Sequence, residues 1–89
     1  MNIEFLEEEK TKIKFSIIGE NHEVLNLIRK ELFEDDSIEF AGYKIDHPLK
    51  GKAIFTVSTK RKAPKKAVKD AIERLKEHLS QMESELKKI

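Results

Sequence analysis

Seven apolar residues, Val68, Ile72, Leu75, Leu79, Met82, Leu86 and Ile89, follow one another at spacings of 4, 3, 4, 3, 4 and 3. That is the a/d seam of a heptad, the pattern of a helix that buries one narrow stripe along its whole length. Pro64 suits a first turn, where its missing N–H costs nothing, and no breaker interrupts Lys65 to Lys88. A helix over 64–88 is about 37 Å long, whereas a strand of seven or eight residues spans about 25 Å. The helix therefore outruns the sheet it can pack on and carries Met82, Leu86 and Ile89 into water. Burying such a side chain contributes roughly 1.5–3 kcal/mol, and large exposed apolar strips are uncommon on monomers. The seam predicts a partner helix. The alternative is that its last turns fray or bend back onto the chain's other helix.

Upstream, the period changes. Ile3 and Phe5, then Ile13, Phe15 and Ile17, alternate with polar residues, which predicts half-buried strands over 2–8 and 11–18. Gly19 ends the second strand as a turn residue, and Asn21 suits an N-cap, with Glu23 at the positive end of a helix that starts near His22. In that helix Val24, Leu25, Leu27, Ile28 and Leu32 occupy an arc of about 160° at 100° per residue. Such a stripe is wide enough to back the chain's own sheet and still leave an edge for something else; Phe33 lies outside it. Glu34 to Ser37 end the helix. Ile38, Phe40, Tyr43 and Ile45 predict a third strand, with a bulge at Ala41 and Gly42. His47, Pro48 and Gly51 mark a turn. Lys52 to Thr59 reads as a fourth strand, with Ala53, Phe55 and Val57 on one face and Ile54 opposite.

A chain of 89 residues encloses one core, so a single domain over 1–89 is expected. Hydrophobic residues make up 38% and charged residues 39%, which leaves that core thin and favours a borrowed surface. There is no cysteine, which excludes disulfides, thiolate metal sites and cysteine nucleophiles. No apolar run reaches the roughly 18 residues of a membrane helix, and the acidic opening segment is unlike a signal peptide, so a cytoplasmic protein is expected.

The sequence lacks a phosphate-binding loop, a dinucleotide fingerprint, a nucleophile elbow and paired histidines at helical metal-binding spacing. No catalytic residue, cofactor site or metal site is therefore assigned. His22, His47 and His78 fall in three different elements: His22 shapes the helix start, His47 belongs to a turn, and His78 sits at the rim of the seam. The acidic runs Glu7 to Glu9 and Asp35 to Asp36 lack the alternating ligand spacing of a calcium loop and read as solvated turns. Charge is uneven. Residues 1–49 hold 6 basic and 12 acidic groups, 50–69 hold 8 basic and none acidic, and 70–89 hold 4 and 5. The segment 50–69 suits phosphates, an acidic protein or plain solvation equally well.

Gly19, Glu20, Asn21 and His22, then Leu25 and Asn26 and the run Leu27 to Arg29, resemble the strand-to-helix segment of the small α-like RNA polymerase subunits. Phe40, Ala41, Gly42 and Tyr43, then His47, Pro48 and Leu49, look like that family's second signature. The likeness extends over nearly the whole chain, and by size the archaeal members are nearest. Asn21 stands where the family more often has an acidic or small residue, and Asp46 where it often has a second proline, so the two turns are where the chain departs from the family pattern.

The resemblance implies an α+β fold: a two-layer sandwich of a four-stranded, mainly antiparallel sheet and two helices in the order β-β-α-β-β-α. It also implies a non-catalytic assembly subunit of a multisubunit DNA-directed RNA polymerase, a nucleotidyltransferase complex whose active-site magnesium belongs to the large chains. The implied partner is the polymerase's larger α-like chain, the D subunit, in a heterodimer that serves with the N and P subunits as a platform for the large catalytic subunits. No direct sequence-specific nucleic-acid contact is expected. The wide first stripe and the overhanging seam place the interface at Leu25, Ile28, Leu32, Leu75, Leu79, Met82 and Leu86. Two rival readings remain: a nucleic-acid-binding module that stacks bases on Phe40, Tyr43 and Phe55 and holds phosphates with Lys60 to Lys69, and a homodimer through the same helices.

Overall fold

The computed structural model describes residues 2–46 and 51–89. Strands β1 (Asn2–Glu8) and β2 (Lys12–Ile18) precede helix α1 (His22–Leu32), and strands β3 (Ile38–Ile45) and β4 (Lys52–Thr59) precede helix α2 (Pro64–Leu86). The order is the expected β-β-α-β-β-α. All three pairings are antiparallel and the sheet runs β1-β2-β4-β3, so β2 and β4 are central and the other two are edges.

The alternation on β2 and β4 decides which face is covered. Ile13, Phe15 and Ile17 sit opposite Val57, Phe55 and Ala53 in register, and all six are buried. Ala41 and Ile38 extend the face across β3, and the rings of Phe15 and Phe55 stack at 5.5 Å, nearly parallel. Both helices lie on this face, α1 through Leu25 and Leu32 and α2 through Pro64, Ala67 and Ala71. Lys12, Lys14, Ile54, Thr56 and Phe40 point to the other face, where the ring of Phe40 lies over Gly42: a Cβ there would stand 2.9 Å from its Cζ.

Local chemistry accounts for the boundaries. Gly19 takes a φ of +91°, a conformation open to glycine, and its N–H bonds the Gly51 carbonyl at 3.0 Å. Asn21 then caps α1, its side-chain oxygen accepting the Val24 N–H at 2.9 Å. The α1–β3 loop closes on Asp35, whose carboxylate accepts both the N–H and the hydroxyl of Ser37.

Three expectations are displaced. The irregularity in β3 falls between Ile38 and Phe40, while Ala41 and Gly42 pair regularly with Val57 and Thr56. A second register shift, between Phe5 and Glu7, sits in β1. Helix α2 ends at Leu86, two residues before Lys88, and β2 starts at Lys12 although the Thr11 carbonyl still accepts the Thr59 N–H. The turn residues His47 and Pro48 lie outside the described residues.

Candidate pairing interface

Helix α2 does two jobs along its length. At its start the small residues Ala67 and Ala71, one turn apart and wholly buried, let the backbone approach the sheet closely. Val68, Ile72 and Leu75, on the neighbouring stripe, are half-buried, and every residue from Lys76 to Ile89 is exposed. Leu79, Met82 and Leu86 are each about 60% exposed, and Ile89 fully. With 23 residues, α2 is about 34 Å long against about 25 Å for the strands, and its last turns neither bend back nor find cover. The overhang is as its periodicity predicts.

Helix α1 meets α2 at a specific anchor. Arg74 Nε donates to the Glu31 carboxylate at 2.8 Å and its Nη2 donates at 2.9 Å to the Glu31 backbone carbonyl, which also accepts the Glu34 N–H at 3.1 Å at the end of α1. Between the helices lies an apolar groove of about 420 Å³. Ile3, Phe15, Ile17 and Phe55 form its floor, Val24, Leu25, Leu27 and Ile28 one wall, and Val68, Ile72, Leu75 and Leu79 the other. Among the described residues, Glu20 and Lys76 are the charged ones that line it. A second groove of about 370 Å³ continues it under the other side of α2, past Phe5 and Ile13. There Lys65 pairs with Glu8 and rests its ammonium 4.3 Å from the centre of the Phe5 ring.

The seven residues assigned to the interface therefore divide. Leu25 and Leu32 are at most 1% exposed and fill the chain's own core, and Leu25 also lines the groove. Ile28 and Leu75 line the groove, and Leu79, Met82 and Leu86 stand in water. Val24 and Leu27, at 36% and 48% exposed, belong to the same surface and were not among the seven. A 160° arc shows how wide an apolar stripe is; it does not show which edge faces the sheet. The buried alanines, by contrast, could have been found from their spacing of four.

The residues of the two sequence signatures partly converge. The Tyr43 hydroxyl lies 2.6 Å from Nδ1 of His22 and donates to the His22 carbonyl oxygen at 3.2 Å, tying the start of α1 to β3. Their rings meet edge to face at 5.2 Å. Asn26 instead accepts from Arg29 one turn on, at 2.9 Å and 3.1 Å, while Phe40 and Gly42 occupy the opposite face of the sheet. Glu20 bonds the Asn21 N–H through its carboxylate. His47 and Pro48 lie outside the described residues.

The base-stacking platform is not assembled. Tyr43 stacks on Phe55 at 5.7 Å on the helix-covered face and Phe55 is 1% exposed, so of the three rings only Phe40 faces outward. Much of the basic segment is also answered within the chain. Lys62 pairs with Asp35 and Asp70, Lys65 with Glu8, Lys66 with Asp70, and Lys52 with Asp46 at 3.9 Å. Among the described residues no cluster of acidic or histidine side chains converges as metal ligands, and none of the helices is long and apolar enough to cross a membrane.

A two-layer domain that keeps one helix half in its core and extends the other half past it, beside an open apolar groove, is a pairing module. The chain belongs to the RNA polymerase Rpb3/Rpb11 dimerisation domain family, whose pattern matches residues 12–85. It is 35% identical over 78 residues to the DNA-directed RNA polymerase subunit Rpo11 of Thermococcus sibiricus, covering 84% of this chain and 82% of that one. It is 37% identical over 78 residues to the Rpo11 chain of Korarchaeum cryptofilum, covering 86% and 80%. Its fold matches the crystal structure of the DNA-directed RNA polymerase L subunit from Thermoplasma acidophilum with a TM-score of 0.89 over 98% of this chain and 86% of that one, at 24% identity.

Proposed function

We propose that this chain is the small α-like component, the L subunit, of an archaeal multisubunit DNA-directed RNA polymerase, and that it contributes assembly rather than chemistry. Its partner is the larger α-like chain, the D subunit. The heterodimer forms in the cytoplasm and is the platform on which the large catalytic subunits gather, with the small N and P subunits.

One observation carries the reading: the groove walled by Val24, Leu27, Ile28, Leu75 and Leu79 runs into the uncovered strip Met82 and Leu86 on one continuous face. Apolar surface of this extent next to an otherwise highly charged exterior is the mark of a binding face. The names of the relatives support the assignment to a polymerase.

Co-purification with the larger α-like chain tests it. Leu79→Glu combined with Met82→Glu alters two side chains that are already about 60% exposed, so the isolated chain should keep its secondary structure by circular dichroism. The same pair places two charges in the interface and should abolish the complex. Undiminished complex formation would sink the assignment of this face.

A further inference from the structure

The exposed half of α2 is complementary to itself when reversed. With the seam positions taken as a and d, the flanking e and g positions from residue 76 onward are Lys76, His78, Glu83 and Glu85, basic first and acidic after. Two such helices laid antiparallel about a point between Ser80 and Gln81 bring Leu79 against Met82, Leu75 against Leu86 and Ile72 against Ile89, each pair occurring twice. The same register sets Lys76 opposite Glu83 and His78 opposite Glu85, again twice. Glu83 pairs with Lys87 at 3.8 Å and Glu85 with Lys88 at 3.3 Å, ion pairs exposed enough to exchange freely for others.

We infer that, without a larger partner, two copies of this chain pair through these antiparallel helix ends, each overhang lying in the other's groove. The inference rests on the reading of this face as a pairing face but not on which polypeptide normally fills it. The bodies do not collide. Half-buried residues on α2 stop at Leu75, which faces Leu86 of the second copy, eleven residues or about 16 Å along the axis, so the sheets lie at opposite ends of the pair. The apolar end carrying Leu86 and Ile89 then meets Leu75 and Ile72, which wall the groove. A parallel pair would bring both sheets to the same end and leave Lys76 beside Ala71. The interface is isologous, so one charge pair is tested twice in every dimer.

Sedimentation equilibrium of the purified chain at low salt tests the pairing and its register. The wild-type chain should be a dimer. Lys76→Glu and Glu83→Lys should each weaken self-association about tenfold, since two attractive pairs become two repulsive ones. An equimolar mixture of the two variants should recover wild-type affinity, because the mixed dimer restores both pairs, one in the native sense and one reversed. A monomeric wild-type chain overturns the inference, and so does a dimer indifferent to both reversals or a mixture no tighter than either variant. Binding of the larger α-like chain to the wild-type protein, measured in parallel, separates the cases. A monomer that still binds that chain refutes only self-pairing, whereas a protein that does neither refutes the pairing face as well.

Discussion

The ammonium nitrogen of Lys62 stands 2.7 Å from a carboxylate oxygen of Asp35. A second carboxylate, Asp70, is 2.8 Å from the same nitrogen, so one cation after β4 ties the α1–β3 loop to the first turns of α2. The hydrogen bond from Lys62, followed by those from the N–H and hydroxyl of Ser37, holds the Asp35 carboxyl well below the usual carboxylate range against the opposing cost of desolvation. The Lys62 hydrogen bond lowers Asp70 as well, and Asp35 and Asp70 in turn raise Lys62.

A carboxyl whose pKa is lower in the folded state stabilises the fold fully above its unfolded value, about 3.9, and loses that contribution as pH falls toward the folded value. Melting temperature should therefore drop between about pH 5 and pH 2. Asp35→Asn, which costs on the order of 1 kcal/mol at neutral pH for a partly solvated pair, should flatten that acid limb. Parallel pH curves for the two proteins would show that the clamp contributes nothing.

Arg74 tests the spacing of the helices. Arg74→Lys keeps the charge but cannot bond both the Glu31 carboxylate and the Glu31 carbonyl in one plane. It should lower stability to urea by about 1.5 kcal/mol, the lower end of the range for a hydrogen bond to a charged group, because the Arg74 side chain is 36% exposed. Because the anchor joins the two helices that wall the groove, affinity for the partner should fall too. A variant with native affinity would separate the groove from this contact.

Leu25 and Leu27 stand two positions apart on α1 and should behave oppositely. Leu25→Ala empties a core position that is 1% exposed and should cost about 2–5 kcal/mol of monomer stability. Leu27→Ala, at a position 48% exposed, should leave the isolated chain within about 0.5 kcal/mol and weaken pairing instead. Denaturant titration and a binding titration on the same two proteins distinguish the roles.

The elements themselves were legible because each bears its own period. Ile13, Phe15 and Ile17 alternate and the α2 seam repeats by heptads, and both elements emerge within two residues of the bounds 11–18 and 64–88 expected for them. What escaped was partition. A heptad read from large residues points to Val68, Ile72 and Leu75, yet the closest approach to the sheet belongs to Ala67 and Ala71, whose small size is the reason for the contact. Leu25 and Leu32 likewise share an arc with Leu27, and only the position of the sheet separates core from surface. The register shift near Ile38 carried no signal, since neither glycine nor proline marks it. Nor does spacing reveal that Lys62, in a run of like charges, is held by carboxylates 27 and 8 positions away.

The overhang also has a consequence for supply. A chain whose last helical turns hold Leu79, Met82, Leu86 and Ile89 in water is adhesive whenever it outnumbers its partner. Surplus copies must cover one another, meet a chaperone or be degraded. The reach of α2 beyond its sheet thus ties the fate of every surplus copy to whatever covers that strip.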